Sequence, residues 1–160
     1  MERFDEAYFD RYYERLESRV HGPTEVGNLV RGIAGLAAYW GIPIQTVLDV
    51  GAGPGFYREA IAREIPGAVY SSIDISPVAC ARYGHLQASV VDYAPGTTFD
   101  LVICQGVLQY LPSALCHKAL KNLDALSRGL LYLEALTVHD VEEVADLSKT
   151  DDDVFLRTGE

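Results

Sequence analysis

The spacing of apolar positions changes along this chain, and the change divides it. From Phe4 to Arg19 and from Thr24 to Trp40 the apolar residues recur at helical intervals. His21-Gly22-Pro23 separates the two runs, and Gly41 follows the second, a proline start and a glycine stop. Beyond residue 42, short apolar runs alternate with helical stretches. The runs are Val47–Val50, Val69–Ser76, Val90–Tyr93, Phe99–Gln105 and Gly129–Ala135. The helical stretches are Phe56–Ile65, Pro77–Tyr83 and Ser113–Leu126, the last with a stripe of Leu115, Ala119, Leu123 and Leu126. This alternation predicts an α/β fold with a doubly wound, mostly parallel sheet of about five strands. One domain is expected, with residues 1–41 as a helical cap, 42–135 as the core and 136–160 as an acidic segment. That segment holds one amphipathic stretch, Val138–Leu147, and the run Asp151-Asp152-Asp153, which reads as a solvated turn.

Candidate chemistry concentrates at the first strand. Val47 to Gly55 reads Val-Leu-Asp-Val-Gly-Ala-Gly-Pro-Gly and runs straight into the helical Phe56-Tyr57-Arg58-Glu59. Glycines at alternate positions let a ligand approach the backbone where a Cβ would collide. The helix that follows offers unpaired N–H groups. The spacing is not the G-x-G-x-x-G of a dinucleotide site, because position 56, where the third glycine would fall, is Phe. Asp49, two residues before the first glycine, would repel a pyrophosphate and suits a ligand with positive charge.

That stretch resembles the Asp-x-Gly-x-Gly-x-Gly loop of class I S-adenosylmethionine (SAM) dependent methyltransferases, and the resemblance continues downstream over residues 45–135. It implies a Rossmann-like sheet, SAM as cofactor and S-adenosylhomocysteine as its product. Gly51, Ala52, Gly53 and Gly55 would form the loop, with Asp49 behind it toward the ammonium end. Asp74, closing the second strand beside Ile75, would accept the ribose hydroxyls. Asp92 would lie near the adenine amine, with Tyr93 beside the ring. Gln105 ends the fourth strand, and Gly106 to Leu111 form the turn where acceptor and cofactor meet in folds of this class. Gln105 is expected either to point into the cleft or to bond the backbone of the neighbouring loop. Gln109 and Tyr110 fit a short turn or the surface equally.

The N-terminal Tyr8-Phe9-Asp10-Arg11-Tyr12-Tyr13 has two readings. It packs on the domain by a Phe9/Tyr13/Leu16 stripe, or it forms a lid in which Tyr8, Tyr12 or Arg19 reaches the methionine carboxylate. Glu134, at the end of the fifth strand, is the best placed acid–base group, ahead of His117 and His139. No catalytic residue is assigned, because a methyl on a sulfonium needs mainly a well-placed nucleophile.

Composition narrows the partners. A net charge of −10, with 13 lysines and arginines scattered, argues against a nucleic-acid surface and leaves a small-molecule acceptor. No apolar run approaches the roughly 18 residues that span a bilayer. Three cysteines, Cys80, Cys104 and Cys116, lack metal spacing and suit a reducing, cytoplasmic setting; no metal site is expected. The full methyltransferase fold carries two more strands after the fifth, and 25 residues after Ala135 leave little room for them. An edge strand as apolar as Leu130–Leu133 is hazardous when open, so a second copy or the C-terminal segment is expected to cover it. The function expected is methyl transfer to a small molecule. The alternatives are a catalytically silent SAM-binding or dimerising relative and a nicotinamide-dependent oxidoreductase.

Overall fold

A computed structural model describes residues 3–15 and 17–158. The elements follow the predicted alternation. They are α1 (Glu6–Phe9), α2 (Pro23–Trp40), β1 (Thr46–Val50), α3 (Phe56–Glu64), β2 (Val69–Asp74), α4 (Pro77–Tyr83), β3 (Leu86–Gln87), β4 (Phe99–Gln105), α5 (Ser113–Leu126), β5 (Ser127–Glu134) and α6 (Val138–Glu143). The five strands are all parallel, in the order β3-β2-β1-β4-β5. β1 sits in the middle, which explains why Val47, Leu48 and Val50 are apolar on both faces and fully buried.

Strand periodicity sorts the core into two layers. Val47, Leu101 and Ile103 face one way and pack against Val26, Val30 and Ile33 of α2 and Tyr57, Ala60 and Ile61 of α3. Leu48, Val50, Val102 and Cys104 face the other way, onto Cys116, Ala119, Leu123 and Leu126 of α5. The buried stripe of α5 therefore starts at Cys116. Leu115, placed in that stripe by spacing alone, is 38% exposed, because the sheet meets the helix one position further round.

Three expectations fail locally. The helix foreseen from Phe4 to Arg19 is only α1 followed by a π-type turn, Asp10–Glu14, after which Arg15 is extended. Leu16, the third member of the stripe, lies outside the described residues. The third strand is two residues, Leu86–Gln87, and Val90–Tyr93 is instead a turn in which Asp92 N and Tyr93 N both donate to Ser89 O. Its apolar residues are buried for another reason: Val90 packs into the α5 layer, and Asn122 of that helix donates to the carbonyls of Val90 and Tyr93. The C-terminal segment also goes elsewhere. Phe155 N donates to Gln109 O, and Arg157 donates to the carbonyls of Leu108 and Leu111. It clasps the turn after β4, and β5 ends the sheet with Leu131 and Leu133 about 40% exposed.

The end of the sheet opposite the glycine loop is tied by one carboxylate. Asp100 Oδ2 accepts from Gln45 N, Thr46 N and Thr46 Oγ1 at 2.8–2.9 Å, and Oδ1 accepts from Arg128 Nε at 2.8 Å. A bulge between Phe99 and Leu101 makes room for this, and there a Cβ on Gly129 would lie 2.5 Å from Asp100 O. The Arg128 guanidinium, with the three donors behind it, holds Asp100 well below the usual carboxylate range. Asp100→Ala is expected to cost about 1.5–2 kcal/mol in urea unfolding. Because folding lowers this pKa, the loss is complete above about pH 4 and shrinks as the pH falls further. An equal loss at pH 3 and pH 7 would contradict the assignment.

Candidate functional site

At the carboxyl ends of β1, β2 and β4 the chain encloses two cavities of about 290 and 210 Å³. Both are lined by Gly51, Gly53, Gln105, Gly106, Tyr8, Tyr13 and Tyr110, so they meet at the glycine loop. The larger continues past Asp49 and Ala52 toward Glu134, the smaller toward Asp74, Ile75, Ser89 and Val107. The loop itself requires glycine. Gly51 has φ +70°, and a Cβ there would meet Val107 Cγ2 at 2.4 Å; Gly53 has φ +53°. Gly55 starts α3 but lines neither cavity, and its role is to turn the chain into the helix.

Two buried acids frame this loop. Asp74 is 7% exposed; its Oδ2 accepts from Gly53 N and its Oδ1 from Ser76 N, both at 2.8 Å. Each oxygen keeps a lone pair, so the carboxylate shapes the loop and still presents acceptors to the smaller cavity. Asp49 is 2% exposed and accepts from Tyr70 Oη at 2.6 Å. Burial pushes its pKa up to about 7, and the charge of Asp74 adds to this; the Tyr70 hydrogen bond and Arg58 pull the other way.

Strand period explains the next polar group. Gln105 continues the Leu101/Ile103 face, so it meets α3, where its Oε1 accepts from Tyr57 Oη at 2.7 Å. Its Nε2 donates to both oxygens of Glu134 at 3.1–3.2 Å, and Tyr132 Oη donates to Glu134 as well. Gln105 thus lines both cavities, and its side chain bonds those of Tyr57 and Glu134 rather than the backbone of a neighbouring loop. The N-terminal segment lies over the loop. Phe4 O accepts from Ser76 Oγ, Phe9 is 2% exposed, and Tyr8 Oη and Tyr110 Oη are 2.9 Å apart. Tyr12 lines the larger cavity. Tyr12 and Tyr13, adjacent in the π-type turn, both reach the cleft.

Other candidates stand apart. Asp92 is exposed and lines neither cavity, because its segment is a turn rather than a strand tip. Tyr93 packs under that turn against the α5 layer. Arg19 folds back beside Gly22, where a Cβ would touch its guanidinium, and it too lines neither cavity. Three residues in the site, His85, Tyr70 and His21, were not foreseen, and Gln109, read as a turn or surface residue, is buried. His85 Nε2 bonds Gly53 O at 3.0 Å, and Nδ1 bonds Ser72 Oγ at 2.8 Å. A carbonyl only accepts, so Nε2 carries a proton, and burial lowers the pKa of the ring. Tyr70 steadies Asp49. His21 lies 3.8 Å from Glu134, and Gln109 is buried in the larger cavity. Only the tyrosine carried any sequence signal, as a polar tip in a strand.

A family model described as a methyltransferase domain matches residues 48–128, just over half of the chain. This chain belongs to the methyltransferase domain family. It is 39% identical over 120 residues to the ubiquinone biosynthesis O-methyltransferase of Xanthomonas campestris pv. campestris, an alignment covering 63% of this chain and 47% of that protein. The protein of the same name from Pseudomonas paraeruginosa is 35% identical over 99 residues, 51% of this chain and 42% of its own. The methyltransferase domain here thus spans about half the length of the curated relatives it matches. The fold is shared with the plantazolicin methyltransferase BpumL, solved with S-adenosylhomocysteine, at TM-score 0.64 and 15% identity over 79% of this chain and 54% of that one. It is shared too with SAM-bound CalS10 from Micromonospora echinaspora, at TM-score 0.56 and 21% identity over 66% and 49%.

The residues of this methyltransferase domain fit an adenosyl sulfonium. Backbone is bare where a Cβ would fill the cradle, two carboxylates flank it, and among the described residues that line the cavities none is Lys or Arg. A pyrophosphate would find no cation there. Among the described residues no group of three or more His, Cys, Asp or Glu side chains is arranged to hold a metal ion, and no helix is long and apolar enough to cross a membrane.

Proposed function

We propose that this chain binds SAM across the two joined cavities and transfers its methyl group to a small-molecule acceptor. The observation that carries this reading is the meeting of both cavities at the glycine loop, between Asp49 and Asp74, with no fixed cation in the lining. When bound, the cofactor supplies a methyl group already activated for displacement. The chain's residues do the rest. Asp74 takes the ribose hydroxyls on its free lone pairs, and Ile75 and Val107 supply apolar surface for the base. Asp49 balances the positive end. Tyr8, Tyr13 and Tyr110 close over the loop and exclude water, and their burial keeps these phenols neutral. Gln105, fixed between Tyr57 and Glu134, borders the space where an acceptor would be held at near-attack distance. Residues 1–41 act as the cap and 42–135 as the cofactor core.

Calorimetry with S-adenosylhomocysteine and with NADH tests the binding half of this reading, and binding of NADH alone would end it. Formation of S-adenosylhomocysteine from SAM in a metabolite extract tests the transfer half; tight binding without turnover would favour a silent relative. The open β5 edge supports self-association, with Leu131 and Leu133 inside the contact. Sedimentation equilibrium at micromolar concentration is expected to give a dimer that Leu131→Glu dissociates, and a wild-type monomer would refute it.

A further inference from the structure

We infer that His85 is a positioning residue for the cofactor, holding the Gly53–Pro54 peptide of the glycine loop from behind. This rests on the reading of the joined cavities as a SAM site and deepens it. His85 lines neither cavity, so any effect it has on a ligand passes through the loop.

Three elements fix the ring in place. Gly84 closes α4 at φ +75°, and Leu86 pairs with Ile73 of β2, so the residues on both sides of His85 are anchored. From α3, Arg58 Nη2 donates to Tyr83 O at 3.1 Å and to Gly84 O at 3.4 Å, which ties the same corner to the helix that follows the loop. His85 is 8% exposed, and its Nδ1 is set by Ser72 Oγ of β2. A Cβ at Gly55 would lie 3.3 Å from His85 Cε1, so glycine at position 55 also leaves the ring its space.

The other ring nitrogen reaches Gly53, whose two flanking peptides are each held by a side chain. Its N–H donates to Asp74 Oδ2, and its carbonyl accepts from His85 Nε2 in a buried bond. Among the described residues no backbone N–H donates to that carbonyl. Pro54 has no N–H, so the carbonyl is the only hydrogen-bonding group on the Gly53–Pro54 peptide. Glycine restrains its own backbone least of all residues, and here the two side chains together set φ and ψ. Without the imidazole, a buried carbonyl loses its donor and the peptide gains by turning away. Gly53 and Pro54 both line the larger cavity and Gly53 the smaller, so that turn would move the cradle wall. It would also shift the N–H that orients Asp74.

Calorimetry with S-adenosylhomocysteine at about pH 8, above the titration of Asp49, tests this role. His85→Ala is expected to weaken binding at least about tenfold. His85→Gln, whose amide nitrogen stands near the place of Nε2, should recover most of that loss. His85→Asn reaches only as far as Nδ1 and should not. This pair gives the answer even where alanine leaves too little folded protein. Because His85 and Asp74 act on one glycine, their losses should not add: Asp74→Ala combined with His85→Asn is expected to bind within about threefold of Asp74→Ala alone. A residue that merely packs would lower the melting temperature and spare affinity. Wild-type affinity in folded His85→Ala, equal affinities for the Gln and Asn variants, or fully additive losses would each overturn the positioning role. A wild-type chain that binds no S-adenosylhomocysteine would remove the cofactor reading instead, and this inference with it.

Discussion

Replacing Asp74 with alanine is expected to weaken S-adenosylhomocysteine binding by about 1.5–3 kcal/mol, roughly ten- to hundredfold, the scale of hydrogen bonds to a charged group. The carboxylate works in two directions. It orders the loop through Gly53 N and Ser76 N, and it presents its remaining lone pairs to the smaller cavity. Alanine removes both, so some of the loss reflects a loosened loop. Asp74→Asn separates the two. Its amide oxygen can still accept one backbone N–H, but the other position becomes a donor that faces Gly53 N or Ser76 N wrongly. Asparagine is therefore expected to lower thermal stability while recovering little affinity. Calorimetry well below the melting temperature of each variant reads the binding effect alone. An Asp74→Ala protein with wild-type affinity would remove this residue from the cofactor site.

Acidification is expected to weaken cofactor binding steeply, through Asp49. Its pKa in the folded chain is about 7, raised from the ordinary 3.8 chiefly by burial. An ammonium and a sulfonium favour the ionised form, so affinity should rise with pH up to about 7 and then level. Below that it should fall by up to about tenfold per pH unit, so that two units correspond to about 2.7 kcal/mol. Stability without ligand should move the opposite way. Between pH 4 and 7 the folded chain holds this proton more tightly than the unfolded chain does. Stability from this group is therefore full below about pH 4 and is lost as the pH rises through 7. Asp49→Asn should flatten both curves, leaving a protein more stable at pH 8 and a weaker, pH-independent binder. The pairing of opposite slopes distinguishes Asp49 from a surface carboxylate, whose titration lies near pH 4 and would couple weakly to both. Affinity that is flat from pH 5 to 8 in the wild type would refute the assignment.

The two acids differ in how visible they were. Asp49 and Asp74 were legible because each lies at a strand tip whose apolar run and following turn are both written in neighbouring residues. Asp92 carried the same signal, an acid after Val90-Val91, yet it is exposed. Those valines are buried under α5 by a turn, and a short apolar run does not distinguish a strand from a buried turn. Arg19 failed for a related reason. The helix expected to carry it past the loop ends at Glu14, and local spacing held no sign of the π-type turn. Gln109 was legible as a turn residue but not as a buried one, since burial of a residue in a single 3₁₀ turn depends on the C-terminal segment that packs over it.

Residue order alone was enough for the parallel α/β sheet, the glycine cradle and the preference for a cation over a pyrophosphate. These follow from periodicity, from backbone that tolerates no Cβ, and from charge, all of which are local. Folding in three dimensions decided which tyrosines roof the loop, that Glu134, Asp140, Asp151 and Gln109 border one cavity, and that β5 is left as an open edge. Those are contacts between segments far apart in the chain, and no pattern within a segment records which distant partner it will meet.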